Sequence, residues 1–171
     1  REKEFTDRGD IYIHDMRDMI LGCINCCLFD IGSILRGGFE MSNVRYTEPK
    51  TVLSALQVVG DITLVATAQQ FGGFTLAELD KALLPYVLKS WKTAHDKYIE
   101  LGLSEERAAE QSDKDITREL EQGFQSLELK LNTVPCSRGD FAFTTISFGQ
   151  WNLKDYAPFE RKWLSKINKI G

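Results

Sequence analysis

The 171-residue sequence has no block of five or six like charges, only two histidines, and no apolar run near the roughly twenty residues a membrane-spanning helix requires. Its longest apolar stretches, around residues 21–28 and 83–88, fall far short of a span. Lys and Arg number 21 against 25 Asp and Glu, a net charge of −4, so bulk electrostatics predicts no direct nucleic-acid partner and no anionic membrane. The first residue is Arg1 and nothing near it has the pattern of a signal peptide, so the sequence reads as a piece cut from a longer chain. Only four cysteines occur, and Cys23, Cys26 and Cys27 lie within five positions, with Cys136 apart. Stapled secreted scaffolds spread their cysteines, so this clustering predicts reduced thiols and a cytoplasmic location. What remains is ordinary: 43% hydrophobic and 27% charged residues exclude a disordered segment, and the length suits one domain or a tightly joined pair.

Residues 8–15, RGDIYIHD, alternate with the period of a short strand. Residues 21–29, LGCINCCLF, are almost uniformly apolar and too short for a typical helix, which predicts a strand buried on both faces. Residues 32–50 hold Gly37, Gly38 and Pro49 and read mostly as connection. A helix is expected from near Thr47, with Val52, Leu56, Val59 and Val65 toward the core and Gly72-Gly73 as its stop. Thr75 to Glu78 has capping-box spacing, predicting a second helix with the stripe Leu79, Leu83, Val87 and Trp91, kinked or split at Pro85. Ser104 caps a third, whose later buried face is Leu120, Phe124, Leu127 and Leu131. Beyond a loop at residues 133–139, Phe141, Phe143, Thr145, Ile146 and Phe148 predict a second buried strand, and a short helix follows at residues 158–167. There is no internal repeat.

Individually, the chemical motifs say little. Cys23-x-x-Cys26 has zinc-knuckle or dithiol spacing, but no second pair exists and both histidines, His14 and His95, are distant in sequence, so no metal site is predicted. Inside an apolar run these thiols stay protonated, and the plainest reading is three small buried hydrophobes. His14-Asp15 fits a structural corner better than an acid–base dyad. The two Arg-Gly-Asp triplets, at Arg8 and Arg138, are turn chemistry, and residues 69–73, QQFGG, lack the Gly-Lys-Ser/Thr of a phosphate loop.

Together, GDIYIHDMRD, the Asn25-Cys26-Cys27 run, TAQQFGGFT and LNTVPCSRGDFAFTTISFGQ resemble anaerobic (class III) ribonucleoside-triphosphate reductases, in order and along essentially the whole chain. The resemblance implies a helix-rich α/β fold: part of a ten-stranded α/β barrel of the glycyl-radical type. Residues 1–46 would hold the first barrel strand, 47–132 a helical dimerisation and effector region, and 133–171 a second strand. It implies reduction of ribonucleoside triphosphates by glycyl and thiyl radical chemistry, with a second cysteine supplying hydrogen as the 2′ hydroxyl is replaced. Cys26 matches that second cysteine, Asn25 a residue that hydrogen-bonds the ribose, and His14 and Asp15 a segment shaping the substrate pocket. Gln69, Gln70 and Lys92 are candidates for the site of a dNTP or ATP effector, and Cys136 is structural.

The implied partners are a homodimer mate and a radical-generating activase using S-adenosylmethionine and an iron–sulfur cluster, with a carboxyl-terminal zinc site and formate as reductant. The finger loop, zinc module, glycyl-radical segment and ATP cone are not recognised in these residues, so the fragment alone is expected to be inactive. Adjacent side chains on a strand point to opposite faces, so Asn25 and Cys26 can share a pocket only at a strand end, a bulge or a backbone contact. Two other readings remain: a nonenzymatic helical nucleotide-sensing or dimerisation module, or another glycyl-radical enzyme.

Overall fold

The computed structural model of the chain describes residues 25–41, 43–70, 72–137 and 139–171. The strand expected at residues 8–15 and the start of the one expected at 21–29 lie outside the described residues. Three short strands, β1 (Cys27–Phe29), β4 (Phe74–Leu76) and β5 (Thr144–Ile146), form a parallel sheet in sequence order. Cys27, Phe74 and Thr144 share one rung of this sheet, and Phe29, Leu76 and Ile146 another. Parallel neighbours need long crossovers, and helices supply them.

The first crossover runs through α1 (Ile31–Gly37), a hairpin of β2 (Phe39–Met41) and β3 (Val44–Tyr46), and α2 (Val52–Thr67). The second runs through α3 (Leu79–Glu100) and α4 (Glu105–Thr133), and α5 (Pro158–Ile170) closes the chain. The result is helix-rich α/β with a small parallel sheet.

The longer helices α3 and α4 form where the apolar spacing placed them. Leu79, Leu83 and Val87 of α3 and Leu120, Phe124 and Leu127 of α4 are buried together with Trp163, Leu164 and Ile167 of α5. Leu56 of α2 meets α4 at Gly123, where an added Cβ would lie 2.4 Å from Leu56 Cδ1, so the two helices approach closely only because that position is glycine. Asp80, fully buried at the start of α3, accepts hydrogen bonds on Oδ2 from Gly149 N (2.8 Å) and Trp151 Nε1 (3.0 Å), tying the helix to the loop after β5.

Several expectations need correction. Helix α2 begins at Val52 rather than near Thr47, because Thr51 Oγ1 accepts from Ser54 N and Pro49 lies in the extended approach. Val65 is on the outer face of that helix, 39% exposed. Thr75 is no helix cap: Phe74, Thr75 and Leu76 pair with both neighbouring strands, and Glu78, in the left-handed region at φ 53°, turns the chain into α3. Pro85 does not split α3, which is continuous over 22 residues. Residues 32–50, read as connection, hold α1 and the hairpin; Asp30 caps α1 by accepting from Ser33 N and Ser33 Oγ, while Ile31 and Leu35 bury its inner side.

The largest correction concerns the sheet. It is covered on one face only: Phe74 and Leu76 are fully buried against the helices, but Leu28 on the opposite face is 74% exposed and Thr145 beside it is exposed too. Parallel strands covered on both faces were expected. Here all the helices that pack on the sheet do so from the side of Phe74 and Leu76, so the alternate rungs have no cover among the described residues. The strand expected around Phe141–Phe148 is likewise limited to Thr144–Ile146, with Phe141 and Phe143 exposed.

Candidate functional site

Strand β1 starts at Cys27, so Asn25 and Cys26 sit just before it, released from strict alternation. The strand end is accompanied by a backbone contact: Gly72 N donates to Asn25 O at 2.6 Å, and Cys27 N donates to Gly73 O at 3.1 Å. Both side-chain heads then arrive at one spot. A Cβ added to Gly72 would lie 2.5 Å from Cys26 Sγ, 2.7 Å from Asn25 Oδ1 and 2.8 Å from Asn25 O, so the thiol and the carboxamide occupy the space that this glycine leaves vacant. The adjacency problem posed by the sequence is resolved here, by a strand end together with a backbone contact.

Cys26 is exposed, on the open side of the sheet, and Phe143 covers Gly73 beside it, with ring atoms 3.1 and 3.3 Å from where a Cβ would be. The expected dry strand environment is therefore absent around Cys26 among the described residues. Its neighbour differs. Cys27 points to the helix side, donates from Sγ to Gln70 Oε1 at 3.1 Å, and is held above the usual thiol pKa by burial and, less, by the proximity of Cys26. Adjacent thiols thus have opposite settings, one on the open face and one hydrogen-bonded behind the sheet.

The remaining candidates scatter. His14 and Asp15 lie outside the described residues, as does Cys23. Gln69, Gln70 and Lys92 do not converge: the two glutamines line an apolar cleft of about 360 Å³ with Cys27, Phe29, Ile62 and Ala66, whereas Lys92 lines a separate surface groove of about 440 Å³. Lys50, Lys89 and Glu48 also line that groove, with Lys89 Nζ 2.6 Å from Glu48 Oε1. The hydrogen bond from Lys89 holds Glu48 below the usual carboxylate pKa, and burial together with Glu48 pushes Tyr86 up to about 12. Cys136 is buried in a turn closed by Gly139 N to Cys136 O (2.8 Å) and Cys136 N to Asp140 O (2.7 Å), which fits a structural role. No group of three metal-ligating side chains exists among the described residues.

Sequence reasoning missed Gly72, read only as a helix stop, and the lysine groove, whose members come from two segments. Gly72-Gly73, one residue beyond the glutamines, was the available signal, because a glycine pair often marks a close backbone approach.

A family model described as anaerobic ribonucleoside-triphosphate reductase matches residues 2–168. Three relatives carry that same name. The chain is 33% identical to the one from Enterobacteria phage T4 over 150 residues, covering 84% of this chain and 24% of the relative. It is 30% identical to the Escherichia coli protein over 144 residues, 84% of this chain and 20% of the relative, and 30% identical to the Haemophilus influenzae protein over 147 residues, 85% and 20%. It therefore spans a fifth to a quarter of their length. With an Asn-Cys pair converging on a glycine at a strand end, and a family match along almost all of its residues, the chain belongs to the anaerobic ribonucleoside-triphosphate reductase family.

Proposed function

We propose that this chain forms part of the catalytic core of an oxygen-sensitive reductase that converts ribonucleoside triphosphates to deoxyribonucleoside triphosphates, with Cys26 and Asn25 facing the sugar. The convergence of Cys26 Sγ and Asn25 Oδ1 at Gly72 carries the reading, because it presents a hydrogen donor and a carboxamide to the same small volume on an uncovered sheet face. In this role Cys26 supplies hydrogen from its S–H as the 2′ hydroxyl leaves, and Asn25 orients the ribose through its carboxamide, which both donates and accepts. His14 and Asp15 complete the sugar pocket. Leu28, Thr75, Phe143 and Thr145 face the open side, and further barrel strands covering it would exclude water from the thiol.

The other parts belong to the same proposal. A glycyl radical, installed by an S-adenosylmethionine/iron–sulfur activase, would pass to a finger-loop cysteine whose thiyl takes hydrogen from the sugar, with formate as overall reductant and a structural zinc site in the carboxyl-terminal part. Lys92, with Lys50 and Lys89, suits the phosphates of a dNTP or ATP effector, since three lysines and a single carboxylate line that groove. The outward apolar residues Leu53 and Val65 of α2 and Leu129 of α4 suit a second copy of the chain. We place the protein in the cytoplasm; among the described residues no helix is long and apolar enough to cross a membrane.

Replacement of one sulfur tests this directly. In the full-length, radical-loaded enzyme, Cys26→Ser is expected to abolish deoxynucleotide formation while nucleotide binding persists. Retained turnover would leave the sensing-module reading, in which no chemistry falls to this cysteine.

A further inference from the structure

The start of β1 is held from behind by a side chain that the proposed chemistry leaves unused. Gln70 follows the end of α2, is only 3% exposed, and makes two hydrogen bonds through its carboxamide. Oε1 accepts from Cys27 Sγ at 3.1 Å, and Nε2 donates to Gly72 O at 3.3 Å. Cys27 and Gly72 lie on the two segments that also bond through Asn25 O to Gly72 N and through Cys27 N to Gly73 O. A carboxamide offers a donor and an acceptor a short distance apart, so one side chain spans both segments. Glutamate at this position lacks the donor, and leucine lacks both groups.

We propose that Gln70 is a positioning residue for Cys26: by joining the Cys27 thiol to the Gly72 carbonyl on the helix side, it holds Cys26 Sγ toward the open face. Cys27 Sγ is bonded to Gln70 behind the sheet while the adjoining Cys26 is exposed, so holding residue 27 in place restrains the backbone that carries residue 26. Burial keeps Cys27 protonated, which this hydrogen bond needs, since a thiolate has no hydrogen to donate to Oε1. Both ends of the carboxamide are engaged here, which makes Gln70 a poor effector ligand and leaves Lys92 the stronger candidate. The inference rests on the reading of Cys26 as the hydrogen donor.

The test uses the full-length, radical-loaded enzyme carrying Gln70→Leu or Gln70→Glu. In Q70L, kcat should fall roughly tenfold or more with KM for the ribonucleotide unchanged, the signature of a misplaced reacting group. The infrared S–H stretching band that Cys27→Ala removes should move to the position of a free thiol. In Q70E, turnover should be lost at high pH and return as the pH falls, because the protonated carboxyl restores an O–H for Gly72 O and an acceptor for Cys27. If Q70L does not fold, Q70E decides alone, compared at two pH values where it melts at the same temperature. Wild-type kcat in Q70L, wild-type kcat in Q70E at high pH, an unmoved S–H band, or a Q70E defect that pH does not reverse would overturn the proposal. Retained turnover in C26S would instead sink the reading of Cys26, while the S–H band would still report the Gln70–Cys27 contact.

Discussion

Trp163 and Leu28 are both large apolar side chains, yet the first is completely enclosed among helices and the second lies 74% open on the sheet. The same contrast separates the two halves of the structure. In the helical half, Leu79, Leu83, Ile116, Leu120, Leu164 and Ile167 are each 1% exposed or less and cover one another. In the sheet half, strands of three residues are buried on the helix side only, and the side bearing Cys26, Leu28, Phe143 and Thr145 meets solvent. The difference teaches where each kind of constraint lies. Helical burial supplies stability that these residues generate among themselves, whereas the sheet's open side carries Cys26 and has no cover among the described residues.

Substitutions on the two sides should therefore break different properties. Leu83→Ala, in the closed helical core, should lower unfolding stability by about 2–5 kcal/mol, because it removes a fully buried side chain and leaves a cavity; denaturant titration measures this. Gly72→Ala should cut turnover of the full-length enzyme roughly a hundredfold, with a much smaller shift in melting temperature, because its methyl group takes the space of Cys26 Sγ and Asn25 Oδ1. A collapse of stability equal to that of the core variant would erase the contrast.

Glu119 on α4 offers a smaller effect of opposite sign. Burial, with Asp115 nearby, holds its carboxyl above the usual pKa, and Oε2 is buried with no hydrogen-bond partner among the described residues. A raised folded-state pKa means the folded chain binds the extra proton, so stability falls as pH rises through the carboxylate range. Glu119→Gln should accordingly raise the melting temperature at neutral pH, with the gain shrinking as pH drops below that range. Leu28→Ser in this isolated chain should change stability least, by within about 0.5 kcal/mol, since its side chain gains little from folding. A large loss there would mean that the open side is covered after all.

Legibility in the sequence followed the same division. The stripe of Leu79, Leu83 and Val87 and that of Leu120, Phe124 and Leu127 were readable because helical burial has a local period. Thr75 to Glu78 misled because its spacing fits a cap, while pairing with distant strands, invisible to local pattern, makes it strand and turn. Helix α1 escaped notice because it is short and followed by glycine, although Asp30 and the Ile31 and Leu35 pair were present. Asn25 and Cys26 were found through family resemblance, and the need for a strand end between them followed from side-chain alternation. Gly72 reads only as a helix stop: a glycine pair marks a close approach, but which distant segment it meets has no local pattern.

The central claim is that the Asn25-Cys26 pair meets the sugar on the sheet's uncovered side. A crystal structure of the full-length enzyme with a bound ribonucleoside triphosphate tests it most directly. The account predicts Cys26 Sγ in van der Waals contact, within about 4 Å of the ribose 2′ carbon, and the Asn25 carboxamide hydrogen-bonded to the same sugar over Gly72. A sugar bound elsewhere, with the Cys26 sulfur covered by helix side chains or bonded to a metal, would contradict it.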